Sequence, residues 1–156
     1  MSNNMITNMN DWHDFKHQTS IHVRYDDLDT MGHVNNKTYL GYLEEARIKY
    51  FEDVMGFEKG SLEFGAVVGR VDISFRRPIF YGEQVRLLSR VSKLGNKSFD
   101  IATVVVSRDR QGQDHFSAQA QVTLVSVDAQ GRTVEIPQDF RARVEAFEAQ
   151  GREAVS

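Results

Sequence analysis

The sequence predicts an α+β domain in which one antiparallel sheet curls around a single long helix. Three observations carry this. One amphipathic stretch of helical period runs over residues 36–56. At least four long strand-like stretches follow it, separated by short polar turns. The chain has 156 residues, a length that suits one domain with a real hydrophobic core. A lone helix and an antiparallel sheet each have one apolar face to bury, and they bury it against each other.

The elements follow in order. Residues 1–18, opening "MSNNMITNMNDWHDF", read as a polar extension that Trp12 and Phe15 can pin. "SIHVRY" (20–25) alternates Ile21, Val23 and Tyr25 against His22 and Arg24, the period of a half-buried strand. "NKTYLGYLEEARIKYFEDVMG" (36–56) then sets Tyr39, Leu40, Leu43, Ala46, Tyr50, Phe51 and Val54 at helical spacing. Asn35 or Asn36 can cap this helix by accepting a backbone N–H bond. Gly56 can end it, since a residue without a Cβ takes the left-handed conformation cheaply. Strands are predicted over 65–78, 83–94, 98–109 and 115–128, with turns at "FYG", "GNK" (95–97), "RQGQ" and "DAQG" (128–131). Tight turns between long strands imply a meander. Pro137 opens a short helix, "QDFRARVEAFEAQG", that presents Phe140, Val144 and Phe147 on one face. The domain is expected over 19–147, with 148–156 as a C-terminal tail.

Composition excludes several functions. A formal net charge of −3 argues against nucleic-acid binding, which needs a cationic excess. No apolar run approaches the roughly 20 residues that span a bilayer. With no cysteine there is no disulfide framework, thiolate metal site or cysteine nucleophile. The five histidines are scattered without HExxH or paired spacing, so no metal or other cofactor is expected. The polar start lacks a signal-peptide pattern, and a cytoplasmic location is expected on that ground.

"DTMGHVNN" (29–36) concentrates polar groups where a strand hands over to the helix. A helix N-terminus leaves backbone N–H groups free and carries partial positive charge. Facing a substrate, it can hold a developing oxyanion. Gly32 lets the backbone turn tightly, and Asp29 lies near enough to face the same site. An acid beside such a helix start is half of an acyl-transfer centre.

The residues also carry a resemblance. "VRYDDLDTMGHVNNKTYLGYLEEAR" resembles the signature of the hotdog-fold thioesterases of the 4-hydroxybenzoyl-CoA thioesterase type. The likeness continues in order through "FRRPIFYGEQV", "LGNKSFDI" and "VEIPQDFR". It implies the hotdog fold, an acyl-CoA or acyl-carrier-protein thioester as substrate, and active sites at a homodimer or homotetramer interface. By this resemblance Asp29 is the catalytic acid, as nucleophile or general base, and the Asn36 N–H is the oxyanion donor. Lys97, flanked by Gly95, Asn96 and Ser98, is implied to approach the CoA phosphates. The chain departs from the benzoyl-CoA pattern at His33, Val34, Asn35 and Asn36. His33 and Asn35 correspond to residues implicated in catalysis in the acyl-carrier-protein branch.

Each residue has a plainer role open to it. Asp29 can form an Asx turn, His33 can shape the loop through backbone bonds or position water, and Asn35 can serve only as the cap. Asp26 and Asp27 read as solvated or as loop hydrogen-bonders, and Glu44 and Glu45 as solvent-facing. Arg76 and Arg77 suit surface carboxylates or CoA phosphates equally. Beside hydrolysis, a non-catalytic acyl-thioester binder and, at lower rank, a hotdog dehydratase stay open. A curled sheet also has free edges, and "TVVVS" (103–107) would be hazardous on one, so two-fold assembly is expected.

Overall fold

The computed structural model describes residues 14–56 and 65–155. Its elements run β1 (His17–His22), a 3-10 turn (Tyr25–Asp27), α1 (Thr38–Met55), β2 (Gly65–Phe75), β3 (Gln84–Leu94), β4 (Ser98–Arg108), β5 (Asp114–Val127) and α2 (Gln138–Val155). The strands form one sheet in the order β1-β3-β4-β5-β2, every neighbouring pair antiparallel. The predicted α+β arrangement is the observed one, with α1 lying on the inner face of the curved sheet. Among the described residues no helix is long and apolar enough to cross a membrane.

Small residues contribute to the core that α1 shares with the sheet. Ala46 on α1 and Ala118 on β5 are fully buried, and Ala120 nearly so. Around them α1 packs Tyr39, Leu43, Tyr50 and Phe51 against Leu87, Phe99, Ile101, Val105 and Val122. Gly56 closes α1 in the left-handed conformation, φ 74°, its N–H returning to Glu52 O at 2.9 Å. Phe140 and Val144 of α2 complete the core, with Phe147 packed at its margin.

Several expectations shift. β1 starts at His17, inside the segment read as an extension, and ends at His22. Asp27 Oδ2 accepts the Arg24 N–H at 2.8 Å, which turns the chain out of the strand and leaves Tyr25 exposed. Period-two alternation cannot see that side-chain bond. Phe15 is buried as expected, against Leu88, Val104 and Val106 on the outer face, with the Arg90 guanidinium 4.7 Å from its ring centroid. Trp12 lies outside the described residues. Leu40 is exposed, while Tyr42 and Met55 take buried places on α1. The "short" C-terminal helix runs to Val155, through the position where a tail was expected. Glu148 there accepts bonds from Tyr50 Oη and the Val91 N–H.

The meander holds for β3, β4 and β5 only. β2 pairs with β5 at the far edge, so residues 76–83 cross the end of the sheet to reach β3. The "TVVVS" run lies in β4 and is paired on both sides. The apolar edge is β2 instead, where Val67, Val68, Val71 and Phe75 are each at least 40% exposed.

Candidate active site

The loop between β1 and α1 is a small stitched hairpin. Leu28 bridges Val34, His33 bridges Phe80, and the Val34 N–H donates to Ile79 O at 2.8 Å. Asp29 holds its bend: Oδ1 accepts the Met31 N–H at 2.9 Å and the His33 N–H at 3.1 Å, while Gly32 takes φ 81°. The plain Asx-turn role is therefore real.

The same D-x-x-G-x turn recurs at Asp109–Gln113 and Asp128–Arg132, with the same acceptor pattern from Oδ1. The comparison isolates what is particular to Asp29. Asp109 Oδ2 meets His115 Nε2 at 2.8 Å, and Asp128 Oδ2 meets Arg132 Nε at 3.1 Å. Asp29 Oδ2 bonds to none of the described residues, and Asp29 lines a cavity. One oxygen fixes the carboxylate; the other is left over.

The helix start faces that cavity. Asn35 Oδ1 accepts the Lys37 N–H at 3.0 Å, so Asn35 supplies the predicted cap just ahead of α1. Lys37, at the formal cap position, is already in helical conformation. The Asn36 N–H donates to no described residue, while Asn36 O accepts the Tyr39 N–H at 3.3 Å. The cavity, of about 240 Å³, is lined by Asp29, His33, Val34, Asn36, Tyr39, Phe75, Arg76, Arg77 and Pro78. The fold thus brings Asp29, His33 and Asn36 together. The His33 ring stands edge-on to Phe80, centroids 5.0 Å apart, and its nitrogens bond to no described residue.

At the cavity wall Arg77 is held in an ion pair. Its Nη1 and Nη2 reach the two oxygens of Glu83 at 3.0 Å, and Nη1 also donates to Ser107 Oγ at 3.1 Å. Burial pushes the Glu83 carboxyl up, but the Arg77 bonds and the Phe80 N–H outweigh it and hold it below its ordinary range. A depressed carboxyl pKa gives stability that is present above its unfolded value and lost as pH falls through the folded one. Glu83→Gln is therefore expected to lower stability by about 2 kcal/mol at neutral pH. The difference from wild type should shrink as pH falls through and below the ordinary carboxylate range, which paired denaturant titrations would measure. Arg76 has no carboxylate partner among the described residues; its guanidinium lies 4.8 Å from the Phe116 ring centroid.

A larger hollow of about 570 Å³ lies along Ser20–Val23 and Tyr81–Arg86. Its one carboxylate, Glu83, is already tied to Arg77, so it offers no free acid.

Residues 23–144 match the Thioesterase-like superfamily. The chain belongs to that superfamily. The family makes it a thioester hydrolase with the hotdog fold. The long-chain acyl-CoA thioesterase FadM of Escherichia coli (strain K12) is 35% identical over 112 residues, 71% of this chain and 83% of that protein. A Thermus thermophilus thioesterase, solved with coenzyme A and Zn, superposes with a TM-score of 0.74 at 33% identity, covering 87% of this chain and 97% of that one. The 4-hydroxybenzoyl CoA thioesterase of Pseudomonas sp. strain CBS-3 shares the fold at 19% identity, with a TM-score of 0.72 over 81% of this chain and 96% of that one.

The second predicted group stands apart. Gly95, Asn96, Lys97 and Ser98 form the β3–β4 turn, with the Gly95 N–H on Ser98 O at 2.9 Å and Arg141 Nη2 on Gly95 O at 2.6 Å. Asn96 and Lys97 are exposed. The turn lies at the opposite end of the sheet from Phe75, which is level with Ala118 and, through it, Val105. Ser98 and Val105 on β4 are about 23 Å apart at a strand's rise of ~3.3 Å per residue. One chain does not bring Lys97 to its own Asp29.

Tyr39 and Phe75 line the cavity without having been singled out for it, and Arg77, weighed for surface carboxylates or CoA phosphates, is bound to the buried Glu83 carboxylate. Tyr39 carries a signal, since it follows Asn36 by one helical turn, but helical periodicity assigns it to the core. Phe75 and Arg77 arrive through the far-edge pairing of β2, which no local pattern reveals.

Proposed function

We propose that the chain hydrolyses an acyl-CoA thioester to free acid and CoA at the Asp29 cavity. The observation that carries this is that Asp29 Oδ2 and the Asn36 N–H, neither with a partner among the described residues, share one cavity. The thioester carbonyl oxygen would accept that N–H, which sits at the positive end of α1. Asp29 then acts in one of two ways. It attacks the carbonyl carbon, expelling CoA thiolate and leaving a mixed anhydride that water splits, or it takes a proton from water as that water adds. Either route ends in carboxylic acid and thiol. His33, with its ring nitrogens unengaged at the cavity wall, is positioned to orient the water. Asn35 holds the helix start in place: its Oδ1 accepts the Lys37 N–H, its own N–H donates to Asp27 O and its O accepts the Thr38 N–H.

Relatives named for acyl-CoA, and one solved with coenzyme A, support CoA as the thiol half. The test is free-thiol release over a panel of acyl-CoAs of varied length and aromaticity. Turnover of at least one supports the proposal; no release above the uncatalysed rate across the panel would overturn it.

The proposed assembly is a two-fold dimer, or a dimer of dimers. It would cover the β2 edge and bring the Gly95–Ser98 turn of one protomer toward the cavity of its partner. Lys97 would then meet the CoA phosphates. Lys97→Ala is expected to raise KM several-fold with kcat nearly unchanged, because a remote phosphate contact is equal in ground and transition states. The KM effect should fade as salt screens the pair. A KM that ignores both the substitution and the salt would make Lys97 a solvated turn residue.

A further inference from the structure

α1 buries Tyr39, Tyr42 and Tyr50. A buried phenol ordinarily finds an acceptor, since removing its O–H from water without replacement is costly. Two of these conform: Tyr42 Oη donates to Asp27 Oδ2 at 2.8 Å, and Tyr50 Oη donates to Glu148 Oε2. Tyr39 is just as deep, at 3% exposed, yet its hydroxyl bonds to none of the described residues. Nor is that oxygen sealed in. Among the described residues the fully buried polar side-chain atoms without a partner are His17 Nδ1, Thr19 Oγ1 and Arg90 Nε, and Tyr39 Oη is not one of them. The little surface Tyr39 retains therefore includes its hydroxyl, and the cavity it lines is the one holding Asp29 and Asn36.

Helix geometry explains the direction. Side chains on an α-helix lean toward its N-terminus, so Tyr39, in the first turn, reaches back over Asn36. The ring is held edge-on to Phe75, centroids 5.0 Å apart, and tilted on Tyr42 at 6.0 Å. Burial pushes the phenol up to about 12, with the Arg77 guanidinium working against it. The group stays protonated at neutral pH and is available as a donor.

We propose that Tyr39 Oη is a second hydrogen-bond donor to the thioester carbonyl oxygen, acting beside the Asn36 N–H. This rests on the hydrolytic reading of the same cavity. No proton changes hands. The O–H stays on the tyrosine while the carbonyl oxygen gains charge on attack, and the bond relaxes when the C=O re-forms and the thiolate leaves. Such a donor stabilises the charged intermediate more than the neutral thioester, so its effect falls on kcat.

Tyr39→Phe keeps the ring and its packing and removes only the hydroxyl. It should melt close to wild type and lose about 10²-fold in kcat, with KM within about twofold. A second measurement does not depend on turnover: the isotope-edited carbonyl stretch of an intact acyl-CoA bound to Asp29→Asn and to Asp29→Asn/Tyr39→Phe. The band should move to higher frequency when the phenol is removed. An unmoved band or an unchanged kcat overturns the assignment. If the wild-type protein releases no thiol, the hydrolytic reading fails, and the carbonyl band still decides whether Tyr39 touches the bound thioester.

Discussion

Asp29→Asn is expected to fold and assemble like wild type while losing about 10² or more in thioester hydrolysis. The separation of those outcomes comes from the two carboxylate oxygens. Oδ1 shapes the loop by accepting the Met31 and His33 N–H groups, and an amide oxygen keeps both bonds. Oδ2 has no partner among the described residues, and an NH₂ in its place can neither attack a carbonyl nor take a proton. Asp29→Ala removes both functions together, so it should also lower the melting temperature. Thiol release measured beside thermal unfolding separates the two variants. A folded Asp29→Asn that turns over near the wild-type rate would reduce Asp29 to a turn residue.

What the sequence disclosed follows from the range of the interactions involved. α1, its glycine stop and the polar turns are local. A run of helical period, a residue free to take positive φ and a D-x-x-G spacing each declare themselves within a few positions. The acid and the helix start were legible for the same reason, because Asp29 and Asn36 are near neighbours in the chain. The floor of the cavity was not. Phe75, Arg76 and Arg77 come from a strand that skips past β3 and β4 to pair with β5, and alternation along β2 carries no information about that choice. Tyr39 shows a different limit. Its apolar ring satisfies the helical pattern so well that the pattern hides the hydroxyl. The strand end at His22 was misplaced because a side-chain bond, Asp27 to the Arg24 N–H, ends it rather than any change in hydrophobic period. Lys97 was legible as an exposed turn residue, but its distance from Asp29 is set by the length of the sheet.

That distance leads to the other large expected effect. Among the described residues β2 pairs only with β5, and its outer edge, with Val67, Val68, Val71 and Phe75 exposed, is a surface that invites a second strand. The same edge ends in Phe75, Arg76 and Arg77, which line the cavity, so whatever covers β2 also borders the site. Pairing between two copies of this chain would complete the cavity wall and supply a Lys97 from the far end of the neighbouring sheet. We therefore expect a stable dimer, or a dimer of dimers, with two sites per dimer and activity lost on dissociation. Val67→Lys, placing a charge on the exposed edge at a residue level with Val125 and outside the core cluster, should shift the protein toward monomer and remove most activity with it. Light scattering at the assay concentration, read alongside activity on dilution, follows both quantities at once. A monomer that keeps full activity would mean that each chain closes its own site, and neither the β2 edge nor Lys97 would then have a part in completing it.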